Sequence, residues 1–224
     1  MSLKAAFFDM DGVLYDSMPN HAASWTAVFN TVGIDYPATA SYENEGRTSK
    51  GTIQLAYRTG LGRDATNEEI TLLQALKTHM MNLRPTPAIM EGMPQLIERL
   101  QKKGIQTLIV TGSKQPSLLN RLAHDFGIDA ANVVSGNDVT SEKPDPQPYL
   151  IALQRAKVLP EEAIVIENAP LGIQSAKSAG IHTIAVNTGI LHDDVLLKSG
   201  ADIVISYTLD LQQRWDEIVA MIGK

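Results

Sequence analysis

Six short apolar runs, most of them followed by a stretch patterned for a helix, constrain the fold of this chain more than any other feature. Strands are read at 4–8, 106–110, 132–134, 163–166, 183–186 and 202–205. One helical pattern opens after Gly92 with Pro94 in its first turn and stops at Lys103-Gly104; others cover 115–124, 146–157, 171–179, 193–198 and 209–222. Such alternation predicts an α/β fold, a Rossmann-like, mostly parallel sheet covered on both faces.

The stretch after the first run breaks the alternation. Ala22, Trp25, Val28, Phe29 and Val32 recur at helical spacing. Thr66-Asn67-Glu68-Glu69 has the form of a capping box, and Ile70, Leu73, Leu76 and Met80 follow on one face. Arg84-Pro85-Thr86-Pro87 then reads as a stiff linker. The expected organisation is a core of residues 1–16 and 87–224 with a helical cap of 17–86 inserted after the first strand.

Composition narrows the function classes. At 44% hydrophobic, the 224 residues suffice for a full core. No apolar stretch approaches the ~20 residues of a membrane span, and no signal-peptide pattern opens the chain. The absence of cysteine excludes disulfides, thiolate catalysis and cysteine-held zinc, and fits a reducing cytoplasm. A net charge of -6 argues against broad nucleic-acid binding. A small anionic substrate is still compatible, provided a metal ion and a few placed cations offset the protein's own field. A monomer is expected.

Three of the apolar runs end in polar residues. Ala5–Phe8 gives way to Asp9-Met10-Asp11-Gly12, Leu108-Ile109-Val110 to Thr111-Gly112-Ser113, and Ile164-Val165-Ile166 to Glu167-Asn168. In open parallel sheets the carboxyl ends of the strands form the ligand crevice, so these groups can converge there. Taken singly, each has a plainer reading: a helix cap for the acid pairs, a turn for Thr-Gly-Ser, a surface lysine for Lys143 in Lys143-Pro144-Asp145-Pro146. Together they suit a phosphorus centre. Asp9 can attack phosphorus, and Asp11 can protonate the leaving oxygen and then activate water. Gly12 allows close backbone approach, and Thr111 with the amides of Gly112 and Ser113 can bind phosphate oxygens. Lys114, next in the chain, is counted with them as a substrate-binding candidate. Lys143 can balance the charge on the transferred group. Asp9, the Asp11 carbonyl, Glu167 and Asn168 are the hard oxygen donors that magnesium prefers.

With Asp9-Met10-Asp11-Gly12-Val13, Thr111, Lys143 and Glu167 in this order, the chain resembles the haloacid dehalogenase superfamily, and within it the β-phosphoglucomutase-like subgroup, along essentially its whole length. The resemblance implies Asp9 as nucleophile, Asp11 as general acid/base, Thr111 and Lys143 as phosphate ligands, and magnesium at Asp9, Asp11 and the Glu167-Asn168 pair. It also matches His21 to a histidine common in the subgroup, beside the presumed hinge, where it can polarise Asp11 or the leaving group; a surface histidine is the plain alternative.

Two departures bear on substrate. Asn168 stands where members usually carry a second acid, which removes one negative charge. Glu45-Gly46-Arg47-Thr48-Ser49-Lys50 matches the substrate-choosing cap loop, with an acid where sugar-phosphate mutases place a base. Glu45-Gly46-Arg47-Thr48 together with Glu167-Asn168-Ala169-Pro170-Leu171-Gly172 is more similar to an inorganic pyrophosphatase branch, in which the cap glutamate is expected to reach the core magnesium. The resulting expectation is a magnesium-dependent phosphohydrolase acting on pyrophosphate, with Glu45, Arg47 and Thr48 contacting the substrate. The alternatives are a β-phosphoglucomutase, another sugar-phosphate phosphatase, and a non-catalytic phosphate-binding protein that kept the fold.

Overall fold

In a computed structural model that describes residues 2–113 and 116–222, the apolar runs form one sheet of six parallel strands. They are β1 (Ala5–Phe8), β2 (Gln106–Val110), β3 (Val133–Val134), β4 (Ala163–Glu167), β5 (His182–Val186) and β6 (Ile203–Ile205), in the order β3-β2-β1-β4-β5-β6. The order reverses direction between β1 and β4, so the crevice at their carboxyl ends is the switch point where α/β sheets bind ligands. Register brings the ends together: Phe8 lies opposite Ile109 on one side and Ile166 on the other.

β1 carries large apolar residues on both faces because both are covered. Ala6 and Phe8 pack with α5 (Met93–Lys102), α6 (Pro116–Phe126) and α11 (Trp215–Ile222). Ala5 and Phe7 pack with α7 (Gln147–Ala156) and α8 (Pro170–Ser178). Burying each phenylalanine side chain contributes roughly 1.5–3 kcal/mol. A further small cluster joins Ala185 of β5 to Leu196 of α9 (Asp193–Lys198).

Between β1 and α5 lie four helices: α1 (Met18–Asn30), α2 (Ala38–Glu43), α3 (Ser49–Leu61) and α4 (Asn67–Asn82). They bury their own apolar cluster, which includes Trp25, Phe29, Ile53, Tyr57 and Leu73. Trp25 stacks on Phe29 with ring centroids 5.1 Å apart. The capping box of α4 forms as read, with Thr66 and Glu69 each accepting from the other's backbone N–H. The two chain crossings that join these helices to the sheet run side by side. Asp16 N donates to Ala88 O and Met90 N to Leu14 O, both at 2.9 Å.

Two features differ from the sequence reading. The helix expected over 209–222 is two helices, α10 (Thr208–Gln213) and α11, broken at Arg214. Leu211 of the first and Trp215 and Ile218 of the second all reach the core. The sequence reading also missed α2 and α3. α2 has only six residues, and α3 carries Gly51 and Gly60, which weaken helical propensity. Among the described residues, no helix is long and apolar enough to cross a membrane.

Candidate active site

Asp9 is the first residue beyond β1, and its N–H still donates to Ile166 O at 3.0 Å. The sheet therefore fixes the backbone that presents the carboxylate. Lys143 arrives from the loop before α7 and spends its three protons on Asp9 Oδ1 (2.7 Å), Glu167 Oε1 (2.6 Å) and the Val110 carbonyl (3.1 Å). One ammonium thus ties together the ends of β1, β2 and β4. All three side chains are buried. Burial opposes the charge on Lys143, yet Asp9 and Glu167 outweigh it and hold its pKa well above the ordinary lysine range.

Glu167 is fully engaged by donors. Oε1 also accepts from Tyr149 Oη at 3.0 Å, and Oε2 accepts from the N–H groups of Asn168 (2.9 Å) and Ala169 (3.1 Å). It was expected as a direct metal ligand; in this structure its oxygens hold Lys143 and the start of the loop into α8. Gly172 is part of the same arrangement, because a β-carbon there would lie 1.7 Å from Glu167 Oε1.

Asp9 Oδ2 and Asn168 Oδ1 are buried and have no hydrogen-bond partner among the described residues. Two bare oxygens beside one another's strands are costly unless something else binds them. Burial also pushes the Asp9 pKa well up, against the pull of Lys143, and Glu167, Glu45 and Asp11 add to the rise. An excess of carboxylate around orphaned oxygens is the donor chemistry a magnesium ion fits. Those donors include an amide, and no group of three or more His, Cys, Asp or Glu side chains is arranged to hold a metal among the described residues. Gly12, expected to let a phosphate approach, instead makes room for Asn168: its φ is +85°, and an added β-carbon would meet Asn168 Nδ2 at 2.1 Å.

Asp11 faces away from this knot, toward α1. Its Oδ1 accepts from Ser17 Oγ at 2.5 Å and lies 3.5 Å from His21 Nε2. Burial raises its pKa, but the charge and hydrogen bond of His21 and the Ser17 hydroxyl overcome that and hold it below the usual carboxylate range. Thr111 follows β2, and its hydroxyl accepts from Ser113 N at 3.1 Å, shaping the Thr-Gly-Ser turn. Lys114 lies outside the described residues.

A cavity of about 620 Å³ opens between the sheet ends and the inserted helices. Asp11, Gly112 and Ser113 line it from the sheet side, and His21, Glu45, Arg47, Thr48 and Lys77 from the helical side. Asp9 is only 4% exposed and is not part of its wall. Burial raises the Glu45 pKa, with His21 pulling it down and Asp11 raising it further. Arg47 is braced by Asn44, which accepts from its Nε at 3.1 Å.

Sequence reasoning missed three members of this site. Lys77 is buried on α4 with its Nζ 5.0 Å from the centroid of Trp25, and burial lowers its pKa to about 8 despite Glu45 and Asp11. The signal was present: Lys77 falls on the apolar stripe of Ile70, Leu73 and Met80, where a lysine has no packing reason to be. Tyr149 carried no such signal, since it sits in an ordinary apolar helix face. In the sequence Ser17 marks only the start of the inserted segment.

A family model described as haloacid dehalogenase-like hydrolase matches residues 3–180. Validoxylamine A 7'-phosphate phosphatase of Streptomyces hygroscopicus subsp. limoneus is 29% identical over 87% of this chain and 93% of its own. Hexitol phosphatase A of Escherichia coli is 30% identical over 84% of each. A solved Bacteroides vulgatus protein, named as a candidate β-phosphoglucomutase, superposes with a TM-score of 0.94 at 43% identity, covering 100% of this chain and 91% of that one. With Asp9 and Asp11 at the switch point of this sheet and this family model along most of its length, the chain is an enzyme of the haloacid dehalogenase-like hydrolase family, similar to its β-phosphoglucomutase-like members.

Proposed function

We propose that the chain is a phosphohydrolase that works through an aspartyl-phosphate on Asp9, with residues 17–86 closing as a cap over a core of 1–16 and 87–224. The observation that carries this reading is the hold of Lys143 on Asp9 Oδ1 at 2.7 Å while Oδ2 stays bare. One oxygen of Asp9 attacks phosphorus, the bond to the leaving oxygen breaks, and Asp11 supplies the proton that oxygen needs. Asp11 then takes a proton from water, which attacks the phosphorus and frees Asp9. His21 Nε2, 3.5 Å from Asp11 Oδ1, is placed to polarise Asp11. Lys143, whose three protons the protein already holds, supplies positive charge beside the transferred group, and Thr111 with the amides of Gly112 and Ser113 binds its oxygens. Asp9, Asn168 and the Asp11 carbonyl would hold magnesium, which when bound offsets the negative charge of substrate and site.

Pyrophosphate is the substrate proposed, on the placement of Glu45. An acid lining the cavity, near enough for its charge to act on Asp9, Asp11 and Lys143, repels an anionic substrate unless it also serves a cation, and a carboxylate from the cap that serves the metal draws the cap down on a small substrate. The cavity supports a second reading. About 620 Å³ is ample for a phosphorylated sugar, and the relatives named above are a validoxylamine A 7'-phosphate phosphatase and a hexitol phosphatase. A phosphate-release panel with magnesium separates the two. Pyrophosphate turnover that falls about 10- to 100-fold in Glu45→Ala, with phosphate esters less affected, supports the first. Release from hexose or hexitol phosphates with none from pyrophosphate supports the second. Interconversion of β-glucose 1-phosphate and glucose 6-phosphate would make the chain a mutase. Inactivity toward the whole panel would sink the phosphohydrolase reading.

A further inference from the structure

Glu142 immediately precedes Lys143, yet its carboxylate does not join the Asp9 network. It reaches across to the inserted helices, where Oε2 accepts from Thr48 N at 2.6 Å, at the N-terminus of α3. The helix leaves no room for anything else at that point. A β-carbon on Gly51 would lie 2.3 Å from Glu142 Oε1. One residue along, the same two loops touch again: a β-carbon on Gly46 would meet Lys143 Cδ at 3.0 Å. Gly112 in turn sits under the Gly46 carbonyl, 3.4 Å from where its own β-carbon would be. The loop that carries Glu45 and Arg47 is therefore seated on Lys143 and on the Thr111–Ser113 turn, while Asp9 is 4% exposed. Opening or re-forming of this contact would change how far Asp9 is enclosed.

We propose that Glu142 is the positioning residue that docks the Gly46–Gly51 loop onto Lys143, by accepting from Thr48 N and complementing the positive end of α3. As a positioning role for the reaction it rests on the phosphohydrolase reading above; as a docking contact it does not. The acid is matched to a glycine: Gly51 is needed only because Glu142 is there.

The test is a double-mutant cycle read by amide exchange and by turnover. Glu142→Ala should speed exchange at residues 46–52 on the order of 10-fold, the loss of one hydrogen bond to a charged acceptor, and lower kcat by a similar factor with KM changed less. Glu142→Gln, which keeps an acceptor oxygen, should restore most of the protection. Gly51→Ala should undock the loop in the wild type by displacing the carboxylate. In the Glu142→Ala background the same substitution should do no harm, since the space is vacant and alanine favours the helix. Equal effects of Gly51→Ala in both backgrounds, unchanged exchange in Glu142→Ala, or an unchanged kcat on every phosphate the wild type turns over would each overturn the proposal. If the wild type releases no phosphate from any substrate, the phosphohydrolase reading and the positioning role fail together, while the exchange cycle still decides whether Glu142 docks the loop.

Discussion

The site has two unlike halves. On the sheet side, Lys143, Glu167 and Tyr149 form a buried knot in which every proton of the ammonium and both oxygens of the glutamate are spoken for. On the helical side, Glu45, Arg47 and Lys77 line an open cavity, and burial shifts Glu45 and Lys77 toward their neutral forms. Under the phosphohydrolase reading, the difference reflects what each half would do. A nucleophile and its counter-charge must stand in one geometry through every turnover, so their partners are locked by neighbours. Groups that meet a leaving group must release it, so they remain under-satisfied until substrate arrives.

The largest expected effect breaks the sheet-side half at its reactive atom. Asp9→Asn keeps the shape but removes the attacking oxygen's charge, so phosphate release should disappear while thermal unfolding changes little. Retained turnover near the wild-type rate would rule out an aspartyl-phosphate. A phosphate-mimicking beryllium fluoride adduct should form on the wild type and not on the variant.

Next in size is the counter-charge. Lys143→Ala leaves Asp9 and Glu167 buried and unpaired, a situation that costs about 3–5 kcal/mol. Denaturant unfolding should register that loss alongside the loss of activity. On the helical side, Arg47→Ala should move stability far less, because Arg47 is half-buried and its Nε hydrogen bond goes to a neutral amide. Comparable destabilisation by the two variants would contradict the contrast between the halves.

Those halves were not equally legible in the sequence. Lys143 stands in the loop before α7, but Asp9, Asp11, Thr111 and Glu167 all follow or close strand-like runs, and β-strand ends are marked by an abrupt change from apolar to polar. Register then brings them together without further information. What could not be read was the direction of each side chain. Glu167 and Asn168 look alike as ligand donors in sequence, but four protein donors claim Glu167, and Asn168 Oδ1 is left bare. The helical half depends on how short helices pack on one another; α2 has only six residues, and α3 carries two glycines. Lys77 shows the limit: its stripe position was visible, but its burial against Trp25 is a tertiary fact.

Lys77 also gives the helical half a pH dependence of its own. Burial lowers its folded pKa to about 8 from an ordinary 10.5, with Glu45 and Asp11 pulling back toward the charged form. Between those values the unfolded chain binds a proton that the folded one lacks, so stability should rise with pH across the window from 8 to 10.5. The full span is worth about 3 kcal/mol, and Lys77→Met should flatten that rise. Substrate affinity should move the opposite way, weakening above pH 8 as the cation that faces the cavity is lost. A stability profile unchanged by Lys77→Met would mean that Lys77 reaches solvent in the folded protein.

The smallest effect probes how firmly the sheet-side knot is locked. Tyr149→Phe removes one hydroxyl from Glu167 Oε1 and nothing else, since the ring stays in place beside Lys143, whose Nζ lies 5.2 Å from its centroid. Lys143 still holds that oxygen at 2.6 Å, and the Asn168 and Ala169 amides still hold Oε2. The expected loss is one hydrogen bond to a charged acceptor, about 1.5–3 kcal/mol before the remaining donors adjust and less after. Turnover should fall only modestly, because Asp9 keeps its contact with Lys143. A loss approaching that of Lys143→Ala would show that Glu167 is held mainly by Tyr149, and that the ammonium follows the glutamate rather than fixing it.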